Sequence, residues 1–228
     1  MNAASKNRVQ RAFYKYRVPL AFAYVLFGLV AARLDPLAKV AVSNLVAGFV
    51  LALGGILLRI WASAYVWPNI AAPSPQAREG MVTAGPYALV RNPIYLGGLL
   101  LVSGLTVGLG SPLAALTMLP PTLLTHYWQA RYEESFLLSS YGKQFEDYRR
   151  SVPLLIPSPG KVCQERHGEL DLVQGIKHDI GPVSGFLLFC ILVALRMNYG
   201  SLSSFWMTTT LIGSLLVSVS LVRLVQRI

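Results

Sequence analysis

Two short clusters hold the residues best placed to do chemistry. The first is Gly85-Pro86-Tyr87-Ala88-Leu89-Val90-Arg91-Asn92-Pro93-Ile94-Tyr95-Leu96-Gly97, a junction between a polar loop and an apolar segment. The second, Arg131-Tyr132-Glu133-Glu134, follows at the far end of an apolar hairpin. Arg91 lies between Pro86 and Pro93, in backbone that cannot be regular helix. A guanidinium presents a planar fork of donors suited to a carboxylate, and a carboxylate favours a cationic or hydroxyl-bearing ligand. Both clusters fall where the chain leaves an apolar phase. That placement suits a site serving a charged, water-soluble cofactor and a lipid-soluble partner.

The elements that must carry these clusters are helices. Hydrophobic residues make up 54% of the 228 and charged residues only 13%, with mean hydropathy +0.51, whereas soluble domains run near a quarter charged. Such a composition predicts an all-α, polytopic transmembrane bundle, because unpaired backbone is too costly in lipid. Six spans are expected: Val18–Leu34, Val40–Leu58, Tyr95–Leu109, Pro112–Leu124, Pro182–Leu195 and Phe205–Leu221. Gly110-Ser111 alone joins the third and fourth, which predicts a tight antiparallel hairpin. No proline or glycine interrupts Leu123 to Tyr141, so the fourth helix should continue beyond the membrane and stop at Gly142. Pro120-Pro121 should kink it inside the bilayer. On the protruding part Tyr127, Arg131 and Glu134 share one face. Glu133 points about 100° away from Glu134, so the two carboxylates cannot serve one partner squarely.

Three segments follow: 1–67 with two spans and an aromatic exit from Trp61 to Trp67, 68–159 with both clusters, and 160–228 with a charged linker and two further spans. Gly54-Gly55 and the Gly104/Gly108 pair read as close helix packing. Net charge is +10, but its placement argues against nucleic acid. With the N-terminus in the cytoplasm, only Arg33, Lys39 and Arg196 of the 20 basic residues fall in loops on the opposite side. That bias predicts cytoplasmic N- and C-termini. A signal-anchor fits the N-terminal basic and apolar run better than a cleaved leader. Cys163 and Cys190 form no framework, and His126, His167 and His178 have no metal-ligand spacing, so neither a disulfide nor a metal is expected.

The composite pattern Gly-Pro-Tyr-x-x-x-Arg-Asn-Pro-x-Tyr-x-Gly, then Arg-x-Glu-Glu, then Tyr141-Gly142-x-x-Phe145-x-x-Tyr148 and Val152-Pro153-x-x-Ile156-Pro157, resembles the catalytic module of the isoprenylcysteine carboxyl methyltransferase family. The phospholipid N-methyltransferases are relatives. The resemblance covers roughly residues 80–158. It implies an S-adenosylmethionine-dependent integral membrane methyltransferase acting on an amphiphilic or lipid-like acceptor from the bilayer. Carried over by position, it implies that Tyr87, Val90, Arg91, Asn92, Pro93, Tyr95, Gly97, Glu133 and Glu134 enclose the cofactor, with Arg131 near the reacting centre. Arg91 and Arg131 are alternative holders of the cofactor's carboxylate. Glu134 and Tyr148 are the groups at hand should a proton have to be taken. Asn92 stands where many members have histidine, which removes acid–base chemistry from that position. Two readings compete: a membrane reductase using a nicotinamide cofactor, and a non-enzymatic transporter or scaffold. A homo-oligomer is compatible with the sequence.

Overall fold

A computed structural model describes residues 9, 10, 12–70, 81–158 and 167–187. Among these residues the chain is all-helical, with no strand. The helices are α1 (Arg17–Leu34), α2 (Val42–Ile70), α3 (Pro93–Leu109), α4 (Pro112–Tyr141), α5 (Lys143–Ser151) and α6 (Leu172–His178), with a 3-10 turn at Gly85–Ala88 before α3. Helical residues also occur at 12–15 and 180–187.

The first four expected spans overlap α1 to α4, of which α2 and α4 run well beyond the expected ends. The fifth is described only as far as Leu187, and the sixth lies outside the described residues. One stretch of the described chain, Val42–Val66, is a helix long and apolar enough to cross a membrane, with hydropathy 2.1. Pro19–Leu34 and Pro93–Leu109 are apolar but shorter. A bilayer core asks for about 20 apolar residues, fewer with tilt or local thinning. The long α4 falls short for a different reason: its second half carries Gln129, Arg131, Glu133 and Glu134.

Helix α4 runs unbroken through Pro120 and Pro121 to Tyr141. Gly142, with φ of +49°, then ends it. A residue with a side chain is strained at that φ, so the local backbone accounts for the boundary. Helix α2 continues through the Trp61–Trp67 run to Ile70 rather than leaving its helix at Leu58.

The chain forms two compact units, taken over the described residues. The first takes in the described parts of Met1–Arg17, Leu57–Gly98 and Thr125–Asp179; the second those of Val18–Ile56, Leu99–Leu124 and Ile180–Ile228.

The second unit is built from apolar helices packed through small residues. A Cβ added at Gly104 would lie 2.5 Å from the Gly48 carbonyl oxygen and 2.6 Å from the Ala52 nitrogen. Backbones of α2 and α3 thus touch there, as the Gly104/Gly108 spacing predicts. At the connection after α1, the Asp35 carboxylate accepts from the Ser111 hydroxyl at 2.6 Å and from the Leu113 and Leu37 amides, each at 2.9 Å. The Leu113 amide is one of the unpaired donors at the start of α4. These bonds, the Ser111 hydroxyl foremost, hold the Asp35 carboxyl below its ordinary range.

A group with a depressed folded pKa contributes stability above its unfolded pKa and loses it as pH falls through the folded value. Asp35→Ala is therefore expected to lower the melting temperature at neutral pH. It should also flatten the loss of stability on acidification below the ordinary carboxylate range. Thermal unfolding across pH in detergent checks both; equal melting curves at every pH would contradict the capping role.

The first unit surrounds a small core of Met81, Ala88, Phe145, Tyr148 and Val152, against which Leu137, Leu138 and Tyr141 pack. Here the segment after α5 doubles back on the elbow before α3. The Arg91 amide donates to the Pro153 carbonyl at 2.9 Å and the Asn92 amide to the Leu154 carbonyl at 3.2 Å. Proline-rich sequence on both sides keeps each strand of this contact extended, which leaves those groups available. Ahead of α6, the Thr83 and Ala84 amides donate to the His167 carbonyl and the Asp171 amide to the Ala64 carbonyl.

Candidate functional site

The first unit holds all eleven residues that the sequence singled out. Pro93 opens α3 as its first residue, where a missing N–H costs nothing. Arg91 therefore stands at the mouth of the helix on non-helical backbone, and Tyr95 and Gly97 lie on its first turns. Arg131, Glu133 and Glu134 come from the charged half of α4.

Glu134 is the centre of the arrangement. Its Oε1 accepts from Arg91 Nε at 2.8 Å and its Oε2 from Arg131 Nη1 at 2.7 Å. The Glu134 and Arg91 side chains are 6% and 10% exposed, while Arg131 keeps 32%. Arg91 is further committed: Nη1 donates to the carbonyls of Arg149 and Val152, each at 2.7 Å. Burying a guanidinium needs this many acceptors. Arg91 thus locks the elbow to α4 and to the end of α5, and Arg131 presents its uncommitted N–H groups outward.

Glu133 faces elsewhere, as the helical geometry requires. Its Oε1 accepts from the Tyr95 hydroxyl at 2.8 Å, which leaves Oε2 for a ligand. Burial pushes the Glu133 carboxyl above its ordinary pKa, against the opposing effects of the Tyr95 hydroxyl and the Arg17 charge. A carboxyl with a raised folded pKa destabilises the fold as pH rises from the unfolded value through the folded one. Glu133→Gln should accordingly raise thermal stability at neutral pH while weakening binding of any cationic ligand. Melting curves together with ligand titration check this, and a variant both less stable and unimpaired in binding would contradict it.

The remaining predicted residues support the site from behind. Val90, Asn92 and Gly97 are buried. The Asn92 side-chain amide donates to the Leu154 carbonyl at 3.3 Å. Tyr148, buried in the core, donates its hydroxyl to the Tyr87 carbonyl at 2.7 Å. Tyr87 is buried too, which pushes its hydroxyl far above the ordinary range and keeps it protonated.

A second cluster was not singled out from the sequence. Arg59, on α2, forms an ion pair with Asp179, and the Ser63 hydroxyl donates to the other Asp179 oxygen at 2.9 Å. Arg59 Nη1 also donates to the Ile94 carbonyl at 3.2 Å. His126 stacks on Tyr95 with ring centroids 5.0 Å apart. Burial, and then the Arg59 charge, push the His126 imidazole down to about 4. The available signal was Arg59 itself, a lone charge inside a membrane-length apolar helix, which by default marks a functional position.

Residues 43–144, a little under half of the chain, match the family model described as phospholipid methyltransferase. The segment carrying the elbow and the twin glutamates is therefore similar to the phospholipid methyltransferase family over its matched length. Among curated proteins, the chain is 37% identical over 79 residues to the protein-S-isoprenylcysteine O-methyltransferase of Schizosaccharomyces pombe, covering 34% of this chain and 33% of that one. It is 30% identical over 99 residues to the cobalt-zinc-cadmium resistance protein CzcN of Cupriavidus metallidurans, covering 43% and 42%. Identity to protein-S-isoprenylcysteine O-methyltransferase A of Arabidopsis thaliana is 33% over 82 residues, covering 36% and 42%. The chain thus spans between a third and about two fifths of the length of these relatives. No solved structure matches it.

Proposed function

We propose that the chain transfers a methyl group from S-adenosylmethionine to an amphiphilic, lipid-like acceptor at the cytoplasmic face of a membrane it crosses several times, with both termini cytoplasmic. The observation that carries this reading is the Arg91–Glu134–Arg131 clamp beside the Tyr95–Glu133 pair, assembled from the two clusters of a methyltransferase-family segment. The donor set fits the cofactor. Glu133 Oε2, on a partly buried side chain, supplies a hydrogen-bond acceptor for a cationic, hydroxyl-bearing guest. Arg131, one third exposed and anchored through a single nitrogen, supplies donors for a carboxylate. Of the two arginines that the sequence left as alternatives, this supports Arg131 as the ligand holder and Arg91 as the residue that fixes the clamp.

S-adenosylmethionine, when bound, supplies a methyl group activated by a positive sulfonium. The protein's contribution is position and environment. Orientation of reactants alone supplies on the order of 7–11 kcal/mol in well-arranged systems. Glu134 has both oxygens engaged by guanidinium groups, and the Tyr148 hydroxyl is given to the Tyr87 carbonyl. Neither stands ready to take a proton, which supports an acceptor that is already anionic or neutral, such as a carboxylate or a thiolate.

The test is thermal unfolding of the purified chain with S-adenosylhomocysteine and, separately, with NADPH. At 100 times its Kd a ligand adds about 2.7 kcal/mol, a shift of several degrees. S-adenosylhomocysteine is expected to stabilise the chain and NADPH to leave it unchanged. The reverse pattern would establish the reductase reading, and no response to either would favour a transporter or scaffold.

A further inference from the structure

Residues 167–179 lie outside the segment matched to the phospholipid methyltransferase family, yet they are fastened along their length to elements of the site. The His167 carbonyl accepts from the Thr83 and Ala84 amides at 3.0 and 3.1 Å, and the His167 amide donates to the Thr83 hydroxyl at 3.0 Å. Further on, the Asp171 amide donates to the Ala64 carbonyl at 2.9 Å, and the Asp171 carboxylate caps α6 by accepting from the Gln174 amide at 3.0 Å. Helix α6 lies directly on α2: a Cβ added at Gly175 would stand 2.7 Å from the Ile60 carbonyl oxygen and 2.8 Å from the Ala64 nitrogen. The end of α6 delivers Asp179, the last residue of the first unit, to Arg59.

Arg59 is the joint. Its side chain is 16% exposed and that of Asp179 only 4%, so each charge depends on the other for compensation. Arg59 Nη2 is taken by Asp179 Oδ1, while the Ser63 hydroxyl donates to Asp179 Oδ2 at 2.9 Å. Arg59 Nη1 donates to the Ile94 carbonyl at 3.2 Å. That carbonyl stands in the first turn of α3, one residue before Tyr95, whose hydroxyl donates to Glu133 at 2.8 Å. A guanidinium is planar and rigid, so holding Nη2 on Asp179 fixes where Nη1 meets α3. A buried ion pair is weak evidence of stability, since apolar residues of similar size often do as well. Orientation is what this pair supplies and apolar residues would not.

We infer that Asp179 is a positioning residue for the cofactor site. It orients Arg59, Arg59 sets the first turn of α3, and that turn sets the Tyr95 hydroxyl against Glu133. Residues 167–179 are thus a working part of the site. Loss of the Asp179 charge frees the guanidinium to leave Ile94, and the Tyr95–Glu133 pair loses its register. The inference rests on the methyltransferase reading for the identity of the ligand, and not for the linkage from Asp179 to Tyr95.

The experiment uses the full chain in lipid nanodiscs with 13Cζ-labelled tyrosine, whose resonance reports the hydrogen bond of the phenol, and calorimetric titration with S-adenosylhomocysteine. Tyr95→Phe and Tyr148→Phe assign the resonances to be followed. Asp179→Asn is expected to move the Tyr95 resonance and leave that of Tyr148 in place. It should weaken S-adenosylhomocysteine binding about tenfold or more, equivalent to about 1.4 kcal/mol. Asp179→Glu restores the charge and should recover most of the affinity. Thr83→Val removes the hydroxyl that accepts from the His167 amide, so it loosens the segment without touching Arg59. It should lower the melting temperature while leaving the Tyr95 resonance and the affinity as in wild type. Asp179→Asn with Tyr95 unmoved, or with affinity intact, overturns the inference. So does a Tyr95 shift of equal size in Thr83→Val, or one shared by Tyr148, because either marks general loosening. Absent S-adenosylhomocysteine binding by folded wild type defeats the methyltransferase reading alone, and the Tyr95 resonance then decides the linkage. Should Asp179→Asn not fold, Arg59→Lys decides. Its single ammonium keeps a cation for Asp179 but cannot also hold Ile94, so the Tyr95 resonance should move, and an unmoved one overturns the inference.

Discussion

Glu134→Gln is expected to abolish measurable binding of S-adenosylhomocysteine and to destabilise the chain by about 3 kcal/mol. Removing one member of a buried ion pair costs about 3–5 kcal/mol, because the abandoned charge stays buried. Here two guanidinium groups lose their shared counter-charge, although Arg131 recovers part of the loss through its exposure. Glutamine keeps one acceptor oxygen, so Arg91 or Arg131 retains a hydrogen bond but not both. The geometry of Arg131, free of its anchor, is then no longer fixed. Arg131→Gln makes the informative comparison. It leaves the Glu134–Arg91 pair intact, so it should cost stability little while reducing binding at least tenfold. Melting curves and calorimetric titration of the two variants check the pattern. Glu134→Gln with intact binding, or Arg131→Gln with binding equal to wild type, would contradict the clamp as a ligand-holding device.

A large effect on folding alone is expected at Gly104. An added Cβ there would lie 2.5 to 2.8 Å from the Gly48 carbonyl oxygen and from the nitrogen and Cβ of Ala52. Two of these three are backbone atoms, so the helices themselves must part. Forcing extra volume into a packed contact costs about 1–3 kcal/mol, and Gly104→Val, with three added carbons, should exceed that and yield little folded protein. Two other glycines calibrate the argument. At Gly28 the three atoms nearest the added Cβ all belong to the Met118 side chain, which can turn away. At Gly54 nothing lies within 4 Å, so alanine should be neutral or stabilising by up to ~1 kcal/mol. Detergent melting temperatures should therefore rank Gly54→Ala highest, Gly28→Ala between, and Gly104→Ala lowest. Equal effects at Gly54 and Gly104 would refute the contact.

What could be read beforehand was whatever depended on local chain properties. The uninterrupted run of good helix formers from Leu123 to Tyr141, stopped by Gly142, dictated a helix that outruns its apolar half, and α4 has those limits. The 100° offset between Glu133 and Glu134 dictated different partners, and they have them: Tyr95 for one, two arginines for the other. Helix α2 outruns the expected Val40–Leu58 span because Trp61 to Trp67, which carry the marks of a membrane interface, contain nothing that forbids helix before Ile70.

Contacts distant in sequence were illegible. Arg91 spends its Nη1 on the carbonyls of Arg149 and Val152, and no residue type announces a carbonyl. Hence the choice between Arg91 and Arg131 had to remain open until the fold showed which of them was already occupied. The Arg59–Asp179 pair joins residues 120 positions apart. A lone arginine in an apolar helix signals that some partner exists, without saying which of ten acidic residues it is.

The most direct measurement is transfer of labelled methyl. The purified chain is incubated with methyl-tritiated S-adenosylmethionine and a membrane extract of its host, and the organic-extractable products are counted and weighed. The expected result is label in a distinct amphiphile whose mass rises by one methylene, with transfer at least 100-fold lower in Glu134→Gln. Wild-type protein that melts cooperatively, yet transfers no label above the Glu134→Gln background to anything in the extract, would contradict the methyl-transfer account.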